Sequence, residues 1–287
     1  MREFVIKADE SLEGIEIRDF LKNRLKMSTG LITDLKKGEY ILKNEVRCTV
    51  REKIKHGDTL RFILPPEENT SIIPVEGKID ILYEDEEVIA VNKPADMPTH
   101  PSFYHPEDTL ANRVCFYFGK DFVFRAVTRL DRCTSGVVLI GKNRYSAECL
   151  NRQMRAGEIK KKYLAVCSGV IEKSGTVEIG IKREEDNAIR RTAAADGQYA
   201  KTYYEPLRVL DNMTLVRLYP ETGRTHQLRV HMAYIGHPLV GDFLYGTEIE
   251  GMRALLHCEE IEFGMPLGGK RIRVAAPVPK DFTALGF

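Results

Sequence analysis

Short apolar segments typical of β-strands recur along the chain after residue 79, and they constrain the fold more than any other feature. In order, these segments are IDILYEDEEVIAVNKP, GVVLIGK, KKYLAVCSGVI, AKTYYEPLRVL, MTLVRLYP and KRIRVAAPVP. Helical periodicity appears between them at roughly residues 107–118, 144–156, 225–235 and 251–256. Because strands and helices do not alternate regularly, the pattern predicts an α+β fold for residues 79–287, with a mixed, mainly antiparallel sheet and flanking helices.

Residues 1–64 predict a separate small α/β unit. Its first helix carries apolar residues at helical spacing, namely Ile17, Phe20, Leu21 and Leu25. Its second helix begins after Ser28, a good N-cap residue, and ends at Gly38. A hairpin with Lys43–Asn44 at its tip should follow, then a strand after the Gly57–Asp58 turn. Residues 65–78, PPEENTSIIPVEGK, predict a linker because they hold three prolines and show no periodicity.

Composition excludes several classes of protein. The chain has 287 residues and a net charge of +1, so only local patches could bind a polyanion. No apolar run approaches the roughly 20 residues of a membrane-spanning helix, and the first residues lack the apolar core of a secretory signal. Six scattered cysteines without a CxxC pair predict neither a zinc site nor a disulfide framework. We therefore expect a cytoplasmic protein without membrane contact or bound metal.

Two stretches in the first half of the strand-rich region hold residues suited to chemistry. In VIAVNKPADMPTHP, Lys93 ends an apolar strand, although a simple proline-rich turn would look the same. In AVTRLDRCTSGVVLIGKN, Asp131 follows a predicted strand that ends near Leu130. It stands among cations and precedes a tight TSG turn and a strand that looks buried. An Asx turn with a surface ion pair would also explain this second pattern.

Two later stretches add an aromatic and a basic candidate. In KKYLAVCSG, strand alternation puts Tyr163 on one face with Ala165 and Cys167, where it could stack on a base or belong to the core. In ETGRTHQLRVHMAYIGHPLVGDFLYG, an apolar helical stripe is formed by Leu228, Met232 and Ile235. Arg229 therefore points away from that stripe, toward a possible site. The histidine spacing in this stretch does not match a metal motif.

Taken in order, these motifs resemble one family. The series KP…HP, RLDxxTSG, KxYxAxxxG and TGRTHQLRVHxxxxGHPxxGDxxYG is similar to the RluA/RluD-type pseudouridine synthases over about residues 79–283. Roughly residues 12–63 resemble the αL-motif RNA-binding domain first described in a ribosomal protein. The resemblance implies a monomeric enzyme that isomerises uridine to pseudouridine in structured RNA without a metal or nucleotide cofactor. Large-subunit ribosomal RNA is the favoured substrate, with transfer RNA as the second choice.

The resemblance also implies roles for particular residues. Asp131 corresponds to the catalytic carboxylate, Arg229 to its partner, and Tyr163 to the tyrosine that lies against the target base. Arg129 corresponds to the arginine that helps to extrude the target nucleotide. Further substrate or RNA contacts are expected from two groups of basic residues. These are Lys93, Lys161, Arg224 and His226 in the catalytic region, and Lys22, Lys26, Lys36 and Lys37 in the N-terminal helices.

Several points stay open at the level of sequence. Three residues depart from the family pattern: Thr128 where His is usual, Cys133 where Asp is usual, and Asp96 where Gly is common. Whether Asp131 attacks C1′ or removes the 2′ proton is also undecided. One alternative is a non-catalytic RNA-binding ribosome-assembly factor, which the joint retention of Asp131, Tyr163 and Arg229 argues against. A second is a hydrolase, which would normally need two carboxylates.

Overall fold

The computed structural model describes residues 2–67, 69, 71–185 and 189–287. The N-terminal residues form a four-stranded antiparallel sheet in the order β1-β4-β2-β3. Its strands are β1 (Glu3–Lys7), β2 (Ile41–Lys43), β3 (Val46–Arg47) and β4 (Thr59–Ile63). Its helices are α1 (Ile17–Asp19), which continues as a π-helical turn over Phe20–Arg24, and α2 (Thr29–Lys37).

Local signals predicted most of this unit. The Ser28 hydroxyl accepts a hydrogen bond from the Leu31 amide at 3.1 Å, and α2 stops at Gly38, so both predicted ends of that helix are confirmed. The hairpin tip is wrong by one residue, since the turn is made by Asn44 and Glu45, both with positive φ. Strand β1 was not predicted, because its five residues take their register from pairing with β4 rather than from a strong local pattern.

The second and larger sheet has nine strands, as the α+β prediction requires. Eight of them follow the order β5-β6-β7-β14-β8-β13-β12-β9, and β15 pairs with β14. In its path every neighbouring pair is antiparallel except β7 and β14, so the predicted mixed, mainly antiparallel sheet is confirmed. The strands are β5 (Ile81–Glu84), β6 (Val88–Lys93), β7 (Ser135–Gly141), β8 (Lys160–Ser168), β9 (Gly175–Glu178), β12 (Lys201–Leu210), β13 (Met213–Pro220), β14 (Leu256–Gly264) and β15 (Arg271–Ala275). A separate pair is formed by β10 (Ile181–Arg183) and β11 (Arg191–Ala193).

The helices that flank this sheet only partly follow the sequence prediction. They are α3 (Leu110–Phe118), α4 (Arg144–Arg155), α5 (Gln227–Tyr234) and α6 (Lys280–Ala284). The predicted helix at 251–256 is wrong, because the backbone of Leu255 instead bonds to Val166 and Val240 in the manner of a strand. The predicted strand that ends near Leu130 is also wrong, since only an isolated bridge joins Ala126 to Ile140.

The described residues form two large apolar cores and two small apolar clusters. Strands β6, β7 and β8 supply much of the larger core, including Tyr163, Ala165 and Cys167, whereas Leu164 and Val166 face a different cluster. The predicted alternation of β8 is therefore confirmed. The smaller core belongs to the N-terminal residues but also takes in Tyr145 and Cys149 of α4.

Polar contacts fasten the N-terminal residues to α4 and its surroundings. Arg144 donates to Asp34 at 2.6 Å, and Arg2 forms an ion pair with Glu87 at 2.6 Å. Arg152 donates to the carbonyl oxygen of Lys26. In the part of the chain that the structure describes, no helix is both long and apolar enough to span a bilayer.

Candidate active site

Asp131 lies in the loop that leads into β7. The amide of Thr134 donates to its carbonyl at 3.1 Å, which closes a tight turn after the aspartate, and the Asp131 side chain is 27% exposed. Gly136 follows with φ of 112°, and a Cβ there would lie 2.2 Å from the carbonyl oxygen of Cys258 on β14. Position 136 therefore requires glycine, because of its positive φ and because a Cβ would clash with β14. This close approach fixes where the loop enters the sheet.

Arg229 joins the Asp131 carboxylate to a second, buried carboxylate. Its Nη1 lies 3.9 Å from Asp131 Oδ2, while its Nε and Nη2 donate to Asp242 at 2.7 and 2.6 Å. Asp242 also accepts from the backbone amides of Leu244 and Tyr245, at 3.0 and 3.2 Å. Burial by itself lowers the pKa of Arg229, but hydrogen bonding to Asp242 and the nearby negative charges outweigh it and raise the pKa. Arg229 is therefore a permanent cation beside the Asp131 carboxylate, and Asp242 fixes its position.

His226 and Tyr245 extend this buried network. His226 caps α5 with φ of 57°, a left-handed conformation that is strained for a residue with a Cβ. Its Nδ1 lies 2.8 Å from the Tyr245 hydroxyl, which also accepts from the Arg191 amide at 2.9 Å and so keeps its hydrogen for the histidine. Burial lowers the pKa of His226, although the charge of Asp131 opposes this. The Tyr245 ring lies 5.1 Å from the Arg229 guanidinium carbon and covers one side of it.

Tyr163 is placed near the aspartate by strand register. On β14, Cys258 pairs with Gly136 of β7 on one side and with Tyr163 of β8 on the other. Burial raises the pKa of Tyr163, and the neighbouring Cys258 and Asp131 raise it further. The phenol therefore stays protonated near neutral pH, and its ring forms part of the larger apolar core.

Two buried cations hold the loop immediately after the aspartate. Lys93 Nζ donates to the carbonyls of Pro94 and Met97, each at 2.7 Å, and to Arg132 at 3.3 Å. Arg253 donates to the Cys133 carbonyl at 2.9 Å. The carbonyls of the two residues that follow Asp131 are thus fixed from opposite parts of the chain.

Arg253 reaches further than this one carbonyl. It donates to the Ser135 hydroxyl at 3.1 Å and to Asp281 at 2.6 Å. The Ser135 hydroxyl in turn lies 2.9 Å from His257 Nδ1, and burial lowers the pKa of His257 to about 4. A neutral His257 can accept the serine hydrogen, so the start of β7 is tied to the C-terminal segment.

The position of Lys93 differs from the predicted RNA contact. Its side chain is fully buried and its three donors meet three carbonyls, so it has no exposed face for a phosphate. Its role in this structure is to connect β6 to the Asp131 loop. Burial lowers the pKa of Lys93 to about 7, because water is replaced by neutral carbonyls and no carboxylate forms an ion pair with it among the described residues.

Lys93 should make the free energy of unfolding depend on pH. Between pH 7 and the ordinary lysine value of 10.5, the unfolded chain binds a proton that the folded protein does not. The contribution of this group therefore rises with pH, by up to about 1.4 kcal/mol per pH unit. Urea unfolding of Lys93→Met should lack this rise, while Lys78→Met, at an exposed lysine, should keep it. Equal slopes in all three proteins would contradict the assigned burial.

The remaining predicted residues lie in three different settings. Arg129 is exposed on the Asp131 loop, and its charge helps to lower the pKa of His100 after the larger effect of burial. Arg224 is also exposed, with Nε donating to the Tyr199 carbonyl at 2.9 Å.

Lys161 is half-buried beside the TGRTH loop, since a Cβ on Gly223 would lie 3.7 Å from its Nζ. Burial lowers the pKa of Lys161. The predicted lysines of the N-terminal helices are all exposed, namely Lys22, Lys26, Lys36 and Lys37.

The three departures from the family pattern have identifiable structural places. The Thr128 hydroxyl accepts from the Leu139 amide at 2.9 Å and fastens the loop to β7. Cys133 is buried, and burial raises the pKa of its thiol. Asp96 has φ of 58°, a conformation in which glycine is the least strained residue, which explains why glycine is common there.

Sequence reasoning missed Asp242, Tyr245 and Arg253. The first two stand in the quoted GDxxYG motif, so the signal was present but no role was attached to it. Arg253 lies in a segment that was predicted to be helical, and its partners Cys133 and Asp281 are 120 and 28 residues away. Among the described residues, no group of three His, Cys, Asp or Glu side chains could hold a metal ion.

Comparisons with known proteins identify the family of the chain. A family model for RNA pseudouridylate synthase matches residues 87–234. "Uncharacterized RNA pseudouridine synthase YjbO" of Bacillus subtilis (strain 168) is 41% identical over 268 residues, which cover 91% of this chain and 95% of that protein. "Ribosomal large subunit pseudouridine synthase D" of Xanthomonas campestris pv. campestris is 33% identical over 272 residues, covering 88% and 81%. The structure of "Human RNA Pseudouridylate Synthase Domain Containing 1" superimposes with a TM-score of 0.60 at 28% identity, covering 70% and 83%.

The fold and these matches define an isomerase class, the RNA pseudouridine synthases. Within that class, the chain belongs to the RluA/RluD-type family. The predicted family, enzyme class and fold class are therefore confirmed. The match to the family model begins at residue 87, so the αL-motif assignment of the N-terminal residues stays a prediction.

Proposed function

We propose that this chain converts one or more uridines of large-subunit ribosomal RNA into pseudouridine, with Asp131 as the catalytic carboxylate. The observation that carries the proposal is the arrangement of Asp131, 3.9 Å from the buried Arg229 and near Tyr163, in a pseudouridine synthase fold. The choice of ribosomal RNA draws on the relatives whose names state the large ribosomal subunit. Transfer RNA is the less supported choice, because none of these names mentions it.

The chemistry of the reaction fits the residues present. The C1′–N1 bond breaks, the base turns while it stays bound, and a C1′–C5 bond forms. The hydrogen at C5 leaves to water and N1 takes up a proton, so the product is an isomer of the substrate. Asp131 supplies a carboxylate that can attack C1′ or remove the 2′ proton. Arg229, fixed by Asp242, holds a positive charge beside that carboxylate throughout.

The target uridine must leave its stack before the sugar can reach Asp131, which costs a few kcal/mol. Arg129 is exposed two residues before the aspartate and is suited to occupy the place that the base leaves. Tyr163 is close enough to Asp131 for the carboxylate to raise its pKa, and its ring is therefore suited to contact the turned base. These assignments carry over the roles that the family resemblance implies.

The activity has a direct test. RNA transcribed with [5-³H]uridine should release tritium to water, because the C5 hydrogen is lost during isomerisation. Mapping by carbodiimide-stop sequencing should then compare cells that contain the gene with cells that lack it. One or a few defined pseudouridines of large-subunit ribosomal RNA should be present in the former and missing in the latter. Binding without tritium release from any ribosomal or transfer RNA would instead support the assembly-factor alternative, and free uracil would support a hydrolase.

We also propose that the N-terminal residues bind the RNA backbone together with α4. A groove of about 600 Å³ runs between the two, and its basic lining residues are Lys22, Lys26, Arg152 and Arg155. Among the described residues, no carboxylate lies within ion-pair distance of Lys22, Lys26 or Arg155. Free cations on both walls suit consecutive phosphates.

Substituting Lys22 and Lys26 by Gln should weaken RNA binding and its dependence on salt. Each lost phosphate contact lowers the slope of log K against log salt by about 0.7 to 0.9, so the double variant should lose roughly 1.5. Filter binding at several salt concentrations measures this slope. Lys7→Gln/Lys55→Gln is the matched control, because both lysines are exposed in the same unit but do not line the groove. An unchanged slope in the groove variant would contradict the proposal.

A further inference from the structure

Two aromatic side chains project into solvent close to the Asp131 loop. Phe103 is 91% exposed and Tyr104 is 85% exposed, more than any other large apolar side chain among the described residues. Their rings meet edge to face with centroids 5.1 Å apart. Side chains this exposed bury little apolar surface, so neither residue contributes much hydrophobic free energy to the fold.

The loop that carries the pair is held in one shape. Ser102 and His105 exchange backbone hydrogen bonds at 3.0 and 3.1 Å, so Phe103 and Tyr104 occupy the two central positions of a closed turn. At the base of the loop, the amide of Leu110 donates to the Pro98 carbonyl at 2.9 Å. The two rings are thus presented by a braced hairpin tip.

This loop is bonded directly to the loop of Asp131. The Thr99 hydroxyl donates to the Leu130 carbonyl at 2.9 Å and accepts from the Leu130 amide at 3.3 Å. Arg132 Nη1 lies 3.5 Å from His105 Nε2. The residues on both sides of Asp131 therefore contact the residues that flank the aromatic tip, which places the tip at the edge of the candidate active site.

The charges around the tip favour a nucleic-acid partner. Arg129 and Arg132 are exposed beside it. Of the nearby acids, Asp108 accepts from His105 Nδ1 at 2.7 Å, while Glu107 is exposed. Flat aromatic rings next to guanidinium groups bind unpaired nucleotides. The face of the base stacks on the ring, and the phosphate forms an ion pair with the guanidinium group. Two side chains are also far too small a patch for a stable protein interface, which needs roughly 800 Å² on each partner.

From this arrangement we propose that Phe103 and Tyr104 form a stacking platform for an unpaired nucleotide that neighbours the target uridine. The proposal rests on the function proposed above and adds to it a preference for uridines in loops or bulges. When the target base leaves its stack, its neighbour loses a stacking partner, and the platform supplies a replacement at the rim of the site. The platform therefore lowers the cost of extrusion for targets whose neighbours are unpaired.

The test compares Phe103→Ala/Tyr104→Ala with Phe116→Ala/Tyr117→Ala. The control removes the same two residue types from α3, where they are 48% and 50% exposed. With [5-³H]uridine ribosomal RNA, the tip variant should raise KM by about 5- to 100-fold, the range expected for one lost base stack. Its kcat and its salt slope should stay near those of the wild type, because no phosphate contact or reacting group has been removed. The variant Phe103→Tyr/Tyr104→Phe keeps two aromatic rings, so its KM should equal that of the wild type.

A second measurement follows stacking without turnover. A short oligouridine with one central 2-aminopurine should lose fluorescence on binding to the wild type and to the control, but not to the tip variant. The platform proposal would be overturned if KM and quenching were unchanged in the tip variant. It would also be overturned if Phe116→Ala/Tyr117→Ala raised KM and lost quenching to the same extent. Retention of the wild type, but not of the tip variant, on lipid vesicles together with unchanged RNA kinetics would also overturn it in favour of a membrane surface. Quenching without any tritium release from RNA would reject the proposed activity while leaving the platform in place.

Discussion

Replacing Asp131 by Asn is expected to abolish pseudouridine formation, with a fall in kcat of about 1,000-fold or more. Asn has the same shape but can neither attack C1′ nor take up a 2′ proton. The fold should persist, because the Asp131 side chain is partly exposed and its ion pair with Arg229 is long, at 3.9 Å. Arg229 keeps its two hydrogen bonds to Asp242, so loss of the longer contact to Asp131 should cost only about 1 kcal/mol. RNA affinity should change little, since an uncharged side chain does not repel the phosphates.

Single-turnover tritium release measures the chemical step, and thermal unfolding with filter binding checks the fold and the RNA affinity. Asp96→Asn is the matched control, because Asp96 lies in the neighbouring turn with φ of 58°, a conformation that asparagine tolerates. That variant should keep near wild-type activity. Full activity in Asp131→Asn, or an equal loss in Asp96→Asn, would show that the catalytic carboxylate has been placed wrongly.

The second large effect is expected at Asp242, because its replacement by Asn leaves the buried Arg229 with only the longer ion pair to Asp131, at 3.9 Å. Breaking a buried ion pair by removing one partner costs about 3 to 5 kcal/mol. Asn keeps an oxygen for the amides of Leu244 and Tyr245, so the loss reports mainly on the charge. Activity should also fall, because Arg229 loses its Nε bond to Oδ2, one of the two bonds that aim it at Asp131.

A double variant separates stability from catalysis at this pair. Arg229→Met/Asp242→Asn removes the buried cation together with its counter-charge and should recover most of the free energy of unfolding, measured in urea. It should remain inactive in tritium release, because nothing positive then faces Asp131. Recovery of activity together with stability would mean that Arg229 acts only through the fold.

Patterns within a few residues determined a large part of this protein. The Ser28 cap, the two ends of α2 and the alternation of Tyr163 and Leu164 on β8 follow from contacts between residues close in the chain. Hydrogen-bond caps and side-chain periodicity act over one or two turns of helix or a few residues of strand, so they are visible in the sequence itself. The ordered motifs also identified the family before any geometry was known.

Only the tertiary structure decided the contacts that hold the site together. Arg253 reaches Cys133 across 120 residues, and Lys93 reaches Arg132 across 39. The parallel pairing of Gly136 with Cys258, which places Tyr163 near Asp131, joins strands far apart in the chain. No local pattern specifies such partners, because a buried cation or a strand-edge amide can donate to any carbonyl that packing brings within reach. For that reason the sequence named Asp131 and Arg229, whereas the supporting roles of Asp242, Lys93 and Arg253 emerged only from the packed fold.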